Sequence, residues 1–574
     1  MIIAIAATYK LVFDGILKEN EKNFYTDSDK NSSSMISFEK KEEAFSHLHR
    51  LNFPFPKGEE DYYNSSIIFN AIPSGTATLD LNNDGFVDFC FSLPEYKNPI
   101  HCYLNNKDNT FSDVTDLYGL TFETKDLASA IYAADFNNDG LDDLLLVKYG
   151  QHDIFLRNGN KFLKVENDWF SNAWGANFYD FNGDGLLDII FANYYRNIDL
   201  KKNKIPWSFK GIFNNQDGAP NELYQNLGNG HFKKIENFFP IKENELTTAI
   251  GIADYDKDGH VDVFVSDDYS IDHLYTFDNK NHKLIEQTNS RLPLKKHGYS
   301  GMNANFFDIN NDGFLDLFVS NIVLPPLMGT SNLLWIWNPE QQIFEQKSKD
   351  YNVNKCGYAW TAKDADFDND GSLEIIVASG FYANKQGRFN TIFNRLIEAN
   401  TPGWFPAKKP EIDINTYSEV SVSRPCLFTN NNDRFEDVSK SVLNWDVNVA
   451  SRSLVVADIN NDGLMDVIIN QQGAKSILYI NSTKTKNDWV GLSFKNKNGG
   501  LINFGVRASL LTKQGKLIKY FELNPANGFK TQHDYRYVTG LGTNSGKELV
   551  LKIDYPVKKE FKIRENMYNE LSIN

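Results

Sequence analysis

DYDKDGHVD, residues 254–262, is one of several near-copies of a nonapeptide spread along this chain. The others are DLNNDGFVD from Asp80, DFNNDGLDD from Asp135, DFNGDGLLD from Asp180, DINNDGFLD from Asp308, DFDNDGSLE from Asp366 and DINNDGLMD from Asp458. Each has an acid at position one, Asn or Asp at three, Asp-Gly at five and six, and an acid at nine. Recurrence at intervals of 55, 45, 74, 54, 58 and 92 residues is the mark of a repeat architecture, in which each copy belongs to one supersecondary unit.

The residue types dictate the chemistry. Oxygen side chains at positions one, three and five converge when the chain curls, and Gly at six allows the positive φ that the curl needs. A carbonyl at seven and a carboxylate at nine complete an all-oxygen shell, which suits calcium rather than zinc. The expected ligands are Asp80, Asn82, Asp84, Phe86 and Asp88; Asp135, Asn137, Asp139, Leu141 and Asp143; and Asp180, Asn182, Asp184, Leu186 and Asp188. They continue with Asp254, Asp256, Asp258, His260 and Asp262; Asp308, Asn310, Asp312, Phe314 and Asp316; Asp366, Asp368, Asp370, Ser372 and Glu374; and Asp458, Asn460, Asp462, Leu464 and Asp466, the residue at seven acting through its carbonyl. Asp, Asn and Gly also form plain hairpin turns. The acid at nine, for which a plain turn has no use, favours up to seven Ca2+ ions. These would bring the formal charge of −16 to −2. An acidic chain with no basic run also speaks against nucleic acid as a partner.

Short apolar runs leave each loop, such as Val263-Phe-Val265 and Ile375-Ile-Val377, and then a turn between two further strand patterns, as in CYLNNKDNTFSDV from Cys102 and LYQNLGNGHFKKI from Leu223. Four strands per repeat predict an all-β fold, a seven-bladed β-propeller over 61–485, followed by a small β-domain over 486–574. Residues 1–60 are read as an N-terminal segment, in which Met1–Tyr9 is either an atypical leader or an ordinary start. No run of about 18 apolar residues exists, so no ordinary membrane span is expected. Calcium loops of modest affinity suit an extracytoplasmic protein, whether secreted, periplasmic or at the cell surface. Cys90, Cys102, Cys356 and Cys426 lack metal spacing and are read as buried small hydrophobes; only Cys90 and Cys102, on adjacent strands, are placed to meet.

The loops and their strand-rich flanks resemble the FG-GAP and VCBS repeats of integrin-α-like propellers. Asn503-Phe-Gly-Val-Arg507-Ala-Ser, Gly528-Phe-Lys-Thr-Gln532-His533, Gly540-Leu-Gly542 and Asp554-Tyr-Pro556 are similar to the ASPIC/UnbV domain of cartilage-acidic-protein-like proteins, where the last element is usually Trp-Pro. The resemblance implies a secreted or surface calcium-binding protein. Bacterial relatives encoded in natural-product pathways offer an alternative, a cofactor-independent enzyme using an aromatic cleft.

The two long intervals hold insertions at about 193–221 and 379–425, expected on the face opposite the metal loops. Tyr195, Arg196, Trp207, Phe381, Arg388 and Trp404 within them suit a protein or glycan partner, or else pack the insertions down. No catalytic signature is present, and no catalytic residue is assigned. His533 and Asp534 are either an acid–base pair or surface polarity.

Overall fold

The computed structural model describes residues 36–41, 44–45, 75–194, 218–240, 246–293, 299–322, 331–380, 382–383, 420–421, 424–431, 434–442, 451–471 and 475–573. It is all-β and is built on one recurring unit of four antiparallel strands. In the first unit the strands are Gly75–Leu79, Asp88–Ser92, Ile100–Asn105 and Phe111–Asp113. A nonapeptide loop always joins the first strand to the second, and in all but the last unit the fourth strand follows the third in sequence. Further units of this kind begin at Ala128, Phe170, Thr247, Asn305, Ala359 and Ser451. The second and third are joined where Phe170–Asn172 pairs with Tyr149–Gln151.

Both faces of each unit are buried, which is why the strands leaving the loops are continuously apolar rather than alternating. In the fourth unit Val263 and Val265 enter a cluster with Ile190 and Tyr275, whereas Phe264, pointing the other way, packs with Leu317 and Trp337 of the fifth. Equivalent clusters lie between every neighbouring pair. One that unites Val455 and Ile468 with Phe89, Phe91 and Tyr103 joins the last unit to the first, so the series curls until it closes.

The closure uses both ends of the repeat region. The last unit has only three strands from its own sequence, Ser451–Ala457, Asp466–Gln471 and Ile477–Asn481, and Phe38–Lys41 supplies the fourth by pairing with Ile477–Asn481. Those four residues fall within the segment set apart as 1–60 in the sequence. A strand so short and so distant in sequence carries no periodic signal of its own.

A C-terminal unit follows. Trp489–Lys495, Tyr537–Gly540 and Tyr568–Ser572 form one sheet, and Val506–Thr512, Leu517–Leu523, Leu549–Tyr555 and Lys559–Ile563 form another, with Leu492, Val506, Phe521 and Leu551 buried among them. It rests on the nonapeptide-loop side of the repeats, and its segment 524–536 runs among their first strands. Asn527 Oδ1 accepts from Asn177 Nδ2 (2.7 Å) and the Ile252 N–H (3.1 Å), and Gln532 bonds both the N–H and the carbonyl of Ala133 (2.7 and 2.9 Å). His533 Nδ1 accepts the Val456 N–H, and Asp534 holds Arg536 and the Asp458 N–H. His533 and Asp534 are therefore not surface polarity: both are buried, and His533 Nδ1 and Asp534 Oδ2 each accept a backbone N–H of the last unit.

All four cysteines are in disulfides, Cys90–Cys102 and Cys356–Cys426. The second corrects the reading of Cys356 and Cys426 as buried thiols, since a partner 70 residues away could not be chosen before the sixth unit was assembled. Among the described residues no helix is long and apolar enough to cross a membrane.

Closing the longer loop removes more entropy from the unfolded chain. Replacing Cys356 and Cys426 by Ala is expected to cost about 4 kcal/mol, against about 3 kcal/mol for Cys90 and Cys102. Denaturant unfolding of the two double variants checks the order, and a larger loss for the short loop would contradict it.

Candidate metal centre

Each nonapeptide folds as one tight turn between two inner strands. Gly at position six takes a positive φ in every copy, from 81° at Gly85 to 96° at Gly140, as the sequence pattern requires. Position four does so too, at Asn83, Asn138, Gly183, Lys257, Asn311, Asn369 and Asn461. That second left-handed residue was not anticipated, although the preference for Asn and Gly there is a readable signal.

Backbone amides converge on the position-one carboxylate. In the first loop the Asp84 N–H donates to Asp80 Oδ1 (3.0 Å) and the Gly85 N–H to Asp80 Oδ2 (2.8 Å), and the second, third, fifth and seventh loops repeat the pair. In those five loops position three is Asn, whose amide also donates to the position-five carboxylate, as Asn82 does to Asp84 (2.8 Å).

Position nine does a further job. Asp88 Oδ2 accepts the Leu81 N–H (2.7 Å) and Asp88 Oδ1 the Asn105 N–H (2.7 Å), so one buried carboxylate pins both the loop and the third strand. Asp143, Asp188, Asp316 and Asp466 do the same with Arg157, Asn226, Trp337 and Asn481. The argument that a turn has no use for this acid therefore fails: the four-stranded unit uses it whether or not an ion is bound.

Loops four and six differ. With Asp at position three the amide donor is lost, and Asp254, Asp256 and Asp262, like Asp366, Asp368 and Glu374, bring carboxylate oxygens within 4.8 Å of one another. In these loops Asp254 Oδ1, Asp262 Oδ2 and Asp366 Oδ1 are buried without a hydrogen-bond partner. Buried carboxylate oxygens left without a donor beside other acids favour a cation or a proton. The residues present thus fit a divalent ion in both loops. His260 and Ser372 supply the position-seven carbonyls, and Asp258 and Asp370 the position-five acids, each of which also accepts the position-seven N–H.

Electrostatics agree. Burial, followed by neighbouring loop acids, holds Asp262 and Glu374 well above the usual carboxylate range. Burial likewise raises Asp88 and Asp188 to about 7 and Asp143 to about 8, against the pull of their backbone donors.

The C-terminal unit brings donors to the same face. Arg507 ion-pairs with Asp254, while Arg291 of the fourth unit holds Asp256 (2.5 Å). Buried Lys519 spans loops five and six through Asn311 Oδ1 and the Gly371 carbonyl (both 2.7 Å). The Gly540 N–H donates to Asp366 Oδ2 (2.9 Å) and the Tyr568 hydroxyl to Asp458 Oδ2 (2.6 Å). None of these was foreseen, since nothing in the tail's sequence says which loop it will meet.

The other predicted residues fare differently. Tyr195, Arg196, Trp207, Phe381, Arg388 and Trp404 lie outside the described residues. The strands bounding their insertions end at Asn193 and Ser379 and resume at Glu222 and Cys426, so both insertions connect the second strand to the third.

Comparison with known proteins follows the repeats. A family model described as FG-GAP-like repeat matches residues 80–146, 135–191, 212–265 and 254–319, and the chain contains FG-GAP-like repeats over these residues. Copies six and seven of the nonapeptide lie beyond the matches. Solved structures similar to the chain include two described as BBS1N in complex with ARL6DN. The one soaked with mercury is 8% identical and covers 72% of this chain and 92% of that one, with a TM-score of 0.39. The one soaked with lead is 10% identical and covers 72% and 94%, with a TM-score of 0.34. No curated protein matches.

A carboxyl group whose pKa is higher folded than unfolded stabilises the fold at low pH, and that contribution is lost as pH rises through the folded value. With Asp88 and Asp188 raised to about 7 and Asp143 to about 8, the metal-free chain should lose thermal stability steadily from about pH 5 to about pH 8. Metal binding requires the deprotonated ligands, so a saturating divalent ion should flatten or reverse the trend. Thermal midpoints in chelator and in metal across this range are the check, and a rise with pH in chelator would contradict it.

Proposed function

We propose that the chain is a calcium-clamped seven-bladed β-propeller with an ASPIC/UnbV-like C-terminal unit, acting outside the cytosol as a non-catalytic binding scaffold for a protein or glycan. The observation that carries the metal reading is the set of partnerless buried oxygens of Asp254, Asp262 and Asp366 in the two loops whose carboxylates converge. Calcium is the ion best suited to an all-oxygen shell of carboxylates, carbonyls and amides in a flexible loop. When bound, it would supply the positive charge that holds those carboxylates together and would do no chemistry.

Two disulfides support a place outside the reducing cytosol. The C-terminal unit engages the metal-loop side through Arg507, Lys519, Gly540 and Tyr568, which leaves the opposite face, where both long insertions connect, as the surface for a partner. Long loops raised on a rigid scaffold are the usual place for recognition.

The test is thermal unfolding in calcium and in chelator, with elemental analysis of bound metal. The expected result is several calcium ions per chain and a clear rise in midpoint. No bound calcium and no rise would overturn the metal reading. Asp370→Ala should lower stability clearly more in calcium than in chelator, where only its hydrogen bond from the Ser372 N–H is lost, and equal losses in both would assign Asp370 to the turn alone. For the partner, deletion of 384–419 should abolish binding of a protein or glycan selected on an array while leaving the calcium-dependent rise intact; retained binding would remove the insertions from the recognition surface.

A further inference from the structure

The repeats provide their own internal standard, and one residue departs from it. Position eight of the nonapeptide is Val87, Leu187, Val261, Leu315, Leu373 and Met465 in six copies, all apolar, but Asp142 in the second. Asp142 is buried, with 5% of its surface exposed, next to the position-nine acid Asp143. An acid where the fold otherwise takes a hydrophobic side chain costs stability, and such a cost is the usual sign of a functional position.

Asp142 lines a cavity of about 610 Å³ between the first, second and seventh loops and the C-terminal unit. Its size and its place between two packed units are those of a small-molecule site. A second feature points the same way. Tyr535, only 3% exposed, lines this cavity too, and its hydroxyl has no hydrogen-bond partner among the described residues. The hydroxyl oxygen itself is not sealed off, so a molecule in the cavity can reach it. Asp142 accepts from Asn503 Nδ2 at 3.3 Å and is drawn to the Asp80 backbone N–H and the buried Arg157 guanidinium, yet two carboxylate oxygens retain capacity to accept more.

We propose that this cavity binds a small organic amine, with the Asp142 carboxylate receiving the ammonium group and the Tyr535 hydroxyl a second polar group of the ligand. The charge of the wall selects the class. Its two cations are already matched, Arg536 to Asp534 (2.8 Å) and Lys495 to Glu570 (2.9 Å), whereas Asp80, Asp139 and Asp142 leave it acidic. The first loop carries three aspartates and the second four, Asp142 among them, which is more negative charge than one divalent ion per loop cancels. Asp142 stands at position eight, outside the ligand positions of its loop, and belongs to neither of the converging carboxylate groups, which among the described residues lie in loops four and six. The site is separate from the face proposed for a macromolecular partner, and it stands whatever that face binds.

The experiment is calorimetric titration of the full chain, in saturating calcium, with ethanolamine, choline and spermidine as probes and with glucose and acetate as neutral and anionic controls. At least one amine is expected to bind saturably with one site per chain while both controls fail. Asp142→Val, which installs the residue that the first and fourth copies carry at this position, should weaken that binding at least tenfold while the thermal midpoint stays level or rises. Tyr535→Phe, which keeps the ring and removes only the partnerless hydroxyl, should also weaken it and provides the test if Asp142→Val does not fold. No saturable amine binding up to about 10 mM, a range that still registers interactions of roughly 3 kcal/mol, would overturn the proposal. So would equal binding of glucose or acetate, or unchanged binding in both variants.

Discussion

Carboxylates withdrawn from water are the constraint on which this structure turns. Five repeats bury the position-nine acid between the loop and the third strand, where two backbone N–H groups meet it, and each of these hydrogen bonds fixes a register. A neutral side chain could fill the same space but could not accept from both strands, and an acid elsewhere on the strand would face an apolar cluster. Burial is tolerable because charge-assisted bonds to backbone donors are strong. It leaves an electrostatic debt in the loop, where further acids crowd the first, and a bound cation settles it most simply.

The loops answer this in two ways. Five place Asn at position three, whose amide ties down the neighbouring aspartate, and these loops satisfy their own oxygens. Two place Asp there and leave oxygens unsatisfied. A single difference between an amide and a carboxylate thus separates loops that hold together by hydrogen bonds from loops that call for an ion. Arg507 and Arg291 beside loop four, and Lys519 beside loop six, add fixed positive charge to these two. The C-terminal unit therefore contributes to the electrostatics of the repeats as well as covering them.

Segment 524–536 gives that unit a second role. Its polar side chains meet backbone groups of inner strands in several repeats, Ala133, Ile252 and Val456 among them. Inner strands at the centre of a closed series of sheets have an edge with unpaired N–H and carbonyl groups, and a buried edge must be satisfied. Asn527, Gln532 and His533 do this from outside the repeats, so the tail completes a hydrogen-bonding scheme that the repeats leave open.

Much of this was legible in the sequence. The nonapeptide determined the turn, its glycine and the position of each first and second strand, because those depend on residues within nine places of one another. The apolar runs and Asn-rich turns determined the remaining strands for the same reason, and the long intervals marked which connection carries each insertion. What only the tertiary structure decided were the relations between distant segments. These are the strand 38–41 that completes the last unit, the pairing of Cys356 with Cys426, the burial of His533 and Asp534, the cations that the tail brings to loops four to six, and the cavity that gives Asp142 a setting. Local patterns are written in spacing, and spacing survives in a linear sequence. Which side chain meets a partner hundreds of residues away depends on how the sheets close, and no single segment of the chain carries that information.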